Sequence, residues 1–339
     1  MRNYHFIICA FMFITYSIEV KSQNINDLFD EETIELAAIN IIKEISNIEA
    51  RKIVIVNSYR KKNFVNYIIQ ELENSKLEYY QVTLGKTLED SALIKTTIAN
   101  NQSGTNYIFM ITPEHAGLLF EAIGRPDIGL KLSENMFYCD WLANTETTIR
   151  TYSIDYNENL AFQESLRRTL NNSKEIQIIS EAGTNIKVSP RYWKTIHGEI
   201  FTAPIEKKSN GTIIIDACAY WGPPTTPIKL AIKNGRVINL NELDTDNKQQ
   251  KFMAKDLNTD RSANILAELG IGTNLGAKWD MDLMESEQAR GTCHFGFGLN
   301  IDFGGQNSSS IHVDYVIKNP TIIVDDKKIC EKGVYLIDK

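Results

Sequence analysis

Residues 291–316 read GTCHFGFGLNIDFGGQNSSSIHVDYV, and this stretch determines how the second half of the chain is interpreted. Two apolar and aromatic runs flank a glycine-rich turn, which predicts two strands folded side by side. His312 and Asp314 alternate on the second run, so their side chains leave the same face of that strand. The turn would bring His294, on the first run, to the same point. Because imidazole and carboxylate groups suit zinc, iron, manganese or cobalt, the stretch predicts part of a metal site.

Two glutamates outside this stretch extend the prediction. Glu199 lies in HGEIFTAP beside an apolar run, and Glu268 lies in AELGIGTN, at the expected end of a helix over 254–269. A cluster of two Glu, two His and one Asp has a charge appropriate for two divalent ions and would leave an open position for water. The plainer alternative stays open at this point. In it, both glutamates are solvated, His312 pairs with Asp314 on a surface strand, and His294 is a core histidine.

Other reactive residue types nearby have simpler interpretations. Cys293 adjoins His294, but adjacent residues on a strand point to opposite faces, so core packing is expected for the cysteine. A run of acidic residues follows the second glutamate motif and is expected to form a solvated face. It comprises Asp280, Asp282, Glu285 and Glu287.

Outward from this region, the fold class follows from the order of elements. The first half alternates short apolar runs, such as Lys52–Val56 and Tyr107–Thr112, with helical stretches, which is typical of a parallel sheet. From about residue 175 onward, the sequence instead predicts short strands separated by turns. We therefore expect an α/β protein with a small parallel-sheet α/β domain over 23–175, followed by a β-rich α+β metal-binding catalytic domain over 176–339. No G-x-G-x-x-G follows the first strand, so nucleotide binding has no support.

Composition excludes several classes of protein. The chain has 339 residues, 43% of them hydrophobic and 23% charged, which argues against a disordered chain or a multi-span membrane protein. The net charge of −7 leaves no basic excess for binding nucleic acid. The five cysteines form no C-x-x-C pair, so a structural zinc knuckle is not expected.

The amino terminus resembles a secretory signal. Arg2 is followed by an apolar run over Phe6–Ile18 that is too short to span a membrane, and Val20-Lys21-Ser22 offers a cleavage site. We expect residues 1–22 to be a signal peptide and the mature protein to be secreted or periplasmic, with no membrane attachment after cleavage. The alternative is a buried N-terminal helix, in which case the protein is cytoplasmic.

Four motifs in this order carry a family resemblance: HGEIFTAP (197–204), AELGIGTN (267–274), RGTCHFGFG (290–298) and SSIHVDYVI (309–317). They resemble the metal-dependent aminopeptidases that include aminopeptidase T and aminopeptidase S. The resemblance implies a peptide substrate, a homodimer and two divalent ions (Zn, Co or Mn), with Glu268 bridging the ions or accepting a proton. It implies five metal ligands: Glu199, Glu268, His294, His312 and Asp314.

Two departures from the family pattern open alternatives. Ile301 stands where the aminopeptidases have a tyrosine that contributes to the metal site, and the segment from His294 to His312 is short for them. A branch of similar length resembles mononuclear iron dioxygenases that open dihydroxypyridine rings, for which His294, His312 and Asp314 would hold iron and the substrate would be a small molecule. A non-catalytic binding protein is the third alternative. Retention of both glutamates, together with the signal peptide, favours an aminopeptidase that acts outside the cytoplasm.

Overall fold

In the computed structural model the chain divides after Ile154 into two compact units. The described residues are 25–46, 52–58, 62–85, 92–94, 96–97, 105–110, 137–139, 145–279, 282–301 and 304–337. The predicted signal peptide, residues 1–22, lies outside this set. Within it, no helix is both long and apolar enough to span a bilayer.

The first unit contains a small parallel sheet with helices. Its described elements are α1 (Glu31–Ser46), β1 (Lys52–Ser58), α2 (Lys62–Asn74), β2 (Tyr79–Leu84), β3 (Thr105–Met110), β4 (Phe137–Cys139) and α3 (Thr145–Tyr152). The strand order is β2-β1-β3-β4, and every pair is parallel. Ile53–Ser58 on β1 is buried throughout, as expected for a central parallel strand covered on both faces. The predicted α/β character of this half is confirmed.

The second unit begins with one long helix and is otherwise mostly antiparallel sheet. Its helices are α4 (Tyr156–Leu170), α5 (Lys248–Asp256) and α6 (Leu283–Gln288). Its strands are β5 (Ile176–Ile179), β6 (Asn185–Val188), β7 (Pro190–Ile196), β8 (Glu199–Pro204), β9 (Asn210–Ile215), β10 (Cys218–Ala219), β11 (Ile228–Lys233), β12 (Arg236–Val237), β13 (Leu266–Gly272), β14 (Thr292–Gly298), β15 (His312–Lys318), β16 (Thr321–Val324), β17 (Lys327–Glu331) and β18 (Val334–Tyr335).

These strands form two sheets that share one apolar core. The six-stranded sheet has the order β10-β15-β14-β13-β8-β7, and the eight-stranded sheet has the order β12-β11-β9-β6-β5-β16-β17-β18. Side chains from both sheets, such as Phe295 and Ile213, join α4 residues Phe162 and Leu166 in a single cluster. Alternation along each strand therefore directs one face of the six-stranded sheet into this core and leaves the other face for polar groups.

One predicted helix is wrong. The stretch 254–269 was expected to be helical, but α5 ends at Asp256 and Leu266–Gly272 is a strand buried along its whole length. The apolar run that suggested a helix is the central strand β13, and Glu268 therefore lies on a sheet. Strand pairing overrides helix propensity here because β13 has a hydrogen-bonded neighbour on each side.

The division between the units also differs from the predicted boundary after residue 175. The structural division falls between Ile154 and Asp155, so α4 belongs to the second unit. Phe162, Leu166 and Leu170 belong to the core of the β-rich unit, which explains this placement. The composition shift near residue 175 marks the first strand of this unit, one helix after the unit begins.

Candidate metal centre

Five candidate ligands stand on one face of the six-stranded sheet. They come from four neighbouring strands: Glu199 on β8, Glu268 on β13, His294 on β14, and His312 and Asp314 on β15. Paired residues on adjacent strands share a face. Gly296 pairs with Glu268 on one side and with Asp314 on the other, and Gly270 pairs with His294. The register therefore directs all five side chains to the same side of the sheet.

Glycines leave the space in which these side chains meet. A Cβ atom at Gly270 would lie 2.0 Å from both Cε1 and Nε2 of His294, so the imidazole ring occupies the volume above that glycine. A Cβ atom at Gly296 would lie 2.6 Å from Oδ1 of Asp314 and 2.8 Å from Cβ of Glu268. The glycines of the AELGIGTN and RGTCHFGFG motifs thus leave room for the functional groups beside them.

His294 lies between two carboxylates. Its Nε2 is 3.3 Å from Oε1 of Glu268 and 3.4 Å from Oε2 of Glu199. All three residues are buried. These three groups form the first ligand set.

His312 lies between Glu268 and Asp314. Its Nδ1 is 2.6 Å from the carbonyl oxygen of Leu299, which can only accept, so Nδ1 donates a proton there. Its Nε2 then faces Oε2 of Glu268 at 3.4 Å and Oδ1 of Asp314 at 3.2 Å. A neutral imidazole in this tautomer directs a lone pair at two carboxylate oxygens. Such a group of acceptors is stabilised by a bound cation or by a proton, and the backbone bond at Nδ1 is typical of metal-binding histidines.

Glu268 belongs to both ligand sets. Oε1 faces His294 and Oε2 faces His312, so its carboxylate spans the two imidazoles. In the second set, ligand atoms from Glu268, His312 and Asp314 all lie within 4.8 Å of one another. Two atoms that each bind one ion at about 2.0–2.2 Å lie no more than about 4.4 Å apart, and Nε2 of His312 is 3.4 Å from Oε2 of Glu268 and 3.2 Å from Oδ1 of Asp314. The buried Glu/His/Asp group is therefore able to bind a metal ion, and the chemistry of the donors suits divalent ions.

Burial and the charges of neighbouring groups shift the pKa values of the acids and bases in this group. Burial, followed by the carboxylates of Glu268 and Asp314, raises the pKa of Glu199, although the two imidazoles oppose this shift. Burial alone would lower the pKa of His294, but the carboxylates of Glu199 and Glu268 outweigh burial and raise it. The group therefore retains protons that an incoming cation would displace.

Glu287 is a member of this acidic group that the sequence prediction missed. It was placed with Glu285 on a solvated face, yet both side chains are buried. Burial raises the pKa of Glu287, and the carboxylates of Asp314, Glu199 and Glu268 raise it further. No described residue makes a hydrogen bond to its Oε1. Glu287 is thus a fourth buried carboxylate that interacts electrostatically with this group.

The short helix α6 explains why this acidic run is buried. The side chain of Asp282 accepts a hydrogen bond from the backbone N–H of Glu285 at 3.0 Å and so caps the helix. The carboxylate of Glu285 accepts one from the backbone N–H of Lys278 at 2.9 Å. Asp280, the remaining member of the run, lies outside the described residues. From Asp282 onward the acidic run is therefore a capped helix packed on the sheet, and its sequence carries no local signal of a shared site.

Two other predictions concern residues next to the candidate ligands. Cys293 is buried in the apolar core, which confirms the expected packing role. Burial raises the pKa of its thiol well above the ordinary value, with a smaller contribution from Cys330. Ile301, which replaces the expected tyrosine, follows β14 and is 50% exposed, so its side chain lies at the surface.

Comparisons with known proteins show similarity to two kinds of enzyme. Residues 157–337, more than half of the chain, match the family model NicX, described as 2,5-dihydroxypyridine 5,6-dioxygenase. No curated protein sequence matches the chain. The fold is similar to 2,5-dihydroxypyridine dioxygenase from Pseudomonas putida KT2440, with a TM-score of 0.64, 15% identity, and coverage of 89% of this chain and 96% of that chain. It is also similar to wild-type AmpT from Thermus thermophilus, with a TM-score of 0.63, 15% identity, and coverage of 90% and 99%.

Proposed function

Because the chain belongs to the NicX family, we propose that it is a metal-dependent enzyme and, more specifically, an aminopeptidase that uses two divalent ions. The fold does not decide between peptide hydrolysis and ring opening, since a dioxygenase and AmpT are similar to it to nearly the same degree. The donor set supports the choice of a hydrolase.

The observation that carries this proposal is the position of Glu268 between the two imidazoles. Its two oxygens face different histidines, each of which has a further carboxylate beside it, Glu199 for one and Asp314 for the other. With Glu287, the group contains four buried carboxylates and two buried histidines. Two divalent cations would match four carboxylates once they displace the protons that burial retains on Glu199 and Glu287, whereas one ferrous ion matches only two ionised carboxylates.

Each residue has a role in this proposal. His294 and Glu199 would hold one ion and His312 and Asp314 the other, while Glu268, whose two oxygens face the two histidines, would contribute to both or accept a proton from water. Divalent ions bound there would supply an acidified water and polarise the scissile carbonyl. Zn, Co or Mn suits these nitrogen and oxygen donors. A carboxylate such as that of Glu287 is suited to bind the free amine of a peptide substrate.

A mononuclear iron dioxygenase is the second candidate. The description of the matching family favours it, and His294, His312 and Asp314 are the two histidines and one carboxylate that would hold non-haem iron. In this alternative Glu199 and Glu268 would lie near the ion without both being required for holding it. A protein that binds small molecules without turnover is the third alternative.

Metal content and activity together test the proposal. We expect two zinc, cobalt or manganese ions per chain by elemental analysis, and hydrolysis of aminoacyl amides by the loaded protein. Glu268→Gln should abolish hydrolysis and lower the metal content, because both ligand sets lose a carboxylate. Glu181→Gln is the control, since Glu181 is a surface residue that pairs with Lys332. One iron per chain, with oxygen consumption on 2,5-dihydroxypyridine and no amide hydrolysis, would instead establish the second candidate.

The setting of this activity is also a proposal. A cleaved signal over residues 1–22 would place the enzyme outside the cytoplasm, where the removal of N-terminal residues from peptides serves nutrient scavenging. The homodimer implied by the aminopeptidase resemblance likewise remains a proposal, and light scattering of the purified protein would test it.

A further inference from the structure

Glu199 is held between two backbone neighbours. On one side it pairs with Ile196 of β7, and on the other with Gly272 of β13. It directly follows Gly198, whose carbonyl oxygen accepts a hydrogen bond from the backbone N–H of Thr273 at 2.8 Å. The position of this carboxylate therefore depends on how the end of β13 meets the turn between β7 and β8.

One side chain joins Ile196 to Thr273, the residue that follows Gly272. Gln163 on α4 donates one hydrogen bond to the carbonyl oxygen of Ile196 at 3.0 Å and one to Oγ1 of Thr273 at 2.8 Å. A side-chain amide has two N–H donors, so both are used here. Gln163 is 3% exposed, and a buried amide with both donors satisfied fixes the separation of the groups it bonds.

The same helix also contacts the segment between Glu287 and His294. The guanidinium of Arg290 stacks on the ring of Phe162 at 3.8 Å. It donates hydrogen bonds to Oδ1 of Asn159 at 3.2 Å and to the carbonyl oxygen of Thr273 at 2.9 Å. Asn159, Phe162 and Gln163 are spaced by three and four residues, so they share one face of α4. This face of α4 therefore contacts the segments that lead to Glu199, Glu287 and His294.

We propose that Gln163 is a positioning residue for the candidate metal centre, and that it acts through Glu199 by tying the β7–β8 turn to the end of β13. The proposal rests on the proposed function only in requiring that the group binds divalent ions. It does not require peptide hydrolysis. Gln163 touches none of the candidate ligands, so its effect must pass through the backbone on either side of Glu199.

The test measures affinity for Co²⁺ alone, by titration of the full metal-free chain, in a double-mutant cycle of Gln163→Met and Glu199→Gln. Methionine nearly preserves the volume of glutamine and removes both donors. We expect Gln163→Met to weaken Co²⁺ binding about tenfold, in the range found when groups behind metal ligands are removed. In the Glu199→Gln background the same change should cost less than about twofold, because the group through which it acts is already altered.

A second variant and a control keep the test decisive if Gln163→Met folds poorly. Thr273→Val removes one acceptor and preserves shape, so it should give a smaller loss of affinity that also disappears in the Glu199→Gln background. Gln249→Met is the control. The side chain of Gln249 also bonds two backbone groups: it accepts a hydrogen bond from the N–H of Thr225 and donates one to the carbonyl oxygen of Pro223, neither of which adjoins a candidate ligand. The visible spectrum of bound Co²⁺ should change with Gln163→Met and stay constant with the control.

Each outcome bears on one proposal or the other. Equal losses in both backgrounds, no loss, or a Glu199→Gln variant that binds Co²⁺ normally would overturn the positioning role. A complete absence of amide hydrolysis in a protein that shows the expected cycle would overturn the proposed aminopeptidase and leave the role of Gln163 supported.

Discussion

At the scale of single residues, glycine is as important to this site as the charged groups are. Gly270 lies beneath the ring of His294, in a strand where any other residue would place a Cβ atom 2.0 Å from that ring. Real non-bonded carbon atoms stay well beyond 3 Å, so the ring must move if the glycine is replaced. His294 would then lose its position between Glu199 and Glu268.

We therefore expect Gly270→Ala to weaken metal binding by at least about tenfold, because the first ligand set loses the position of its imidazole. The unfolding midpoint of the metal-free protein should also fall, since overpacking a buried site costs about 1–3 kcal/mol. Metal titration and thermal unfolding measure the two effects. Glu181→Gln is the comparison, because Glu181 is a surface residue that pairs with Lys332. Unchanged metal affinity in Gly270→Ala would contradict the placement of His294.

Residue chemistry also explains which parts of the site could be predicted. His312 and Asp314 alternate on one strand, so a period of two was enough to place them on one face. Glu287 was not recognised because an acidic run usually marks a solvated surface. Its burial results from the packing of α6 on β10, β13, β14 and β15, of which β10 and β15 are distant in sequence. Contacts of that kind leave no local pattern.

At the scale of elements, turns were easier to predict than the extent of one helix. In the sequence, Asn234-Gly235 and Asp325-Asp326 each lie between two β-type runs, a pattern that predicts hairpin turns. In the structure all four residues adopt positive φ angles between paired strands. The stretch 254–269 was assigned to a helix because a short buried strand and a helical segment share the same apolar composition. Only pairing with β8 and β14 identifies β13 as a strand.

The loop before β15 is attached to the body of the second unit by one carboxylate. Oδ2 of Asp260 accepts hydrogen bonds from Oγ of Ser309 and from both N and Oγ of Ser310, each at 2.8 Å. Burial opposes ionisation of Asp260, but bonds from Ser310 and Ser262 outweigh it and lower the pKa to about 2. This attachment fixes the segment that leads directly into His312.

We expect Asp260→Asn to lower the free energy of unfolding at pH 7 by about 1–2 kcal/mol, since charge-assisted hydrogen bonds are lost. The folded-state pKa is below the ordinary value of 3.8, so this contribution is fully present above about pH 4 and is lost as the pH falls towards 2. Denaturant unfolding of both proteins at several pH values measures it. A difference that stays constant down to pH 2 would show that the carboxylate charge contributes nothing.

At the scale of the whole molecule, the composition and the order of elements were sufficient to predict two units of different class. The apolar runs of the first unit become parallel strands, and the strands and turns of the second become two antiparallel sheets. The position of the division was not predictable in the same way. The sequence of a helix such as α4, which lies at the boundary of two units along the chain, does not indicate which of their two cores will bury its apolar face.

Export of the chain is a separate expectation at this scale. If residues 1–22 form a signal peptide, the mature protein should begin at or near Gln23, because Val20-Lys21-Ser22 provides the cleavage site. N-terminal sequencing of protein from the native host decides this. Recovery of soluble protein that retains Met1 or Arg2 would show instead that the apolar run belongs to the folded chain.

The division at Ile154 leads to a prediction about truncated chains. A fragment of residues 155–339 retains α4, whereas a fragment of residues 176–339 lacks it and exposes the core that Phe162, Leu166 and Leu170 cover. Loss of three buried apolar side chains costs about 5–9 kcal/mol at about 1.5–3 kcal/mol each, which approaches the whole stability of a typical domain. We expect the longer fragment to unfold cooperatively and bind metal, and the shorter one to do neither. Because the shorter fragment retains all five candidate ligands, metal binding by it would show that the site forms without the helix carrying Gln163.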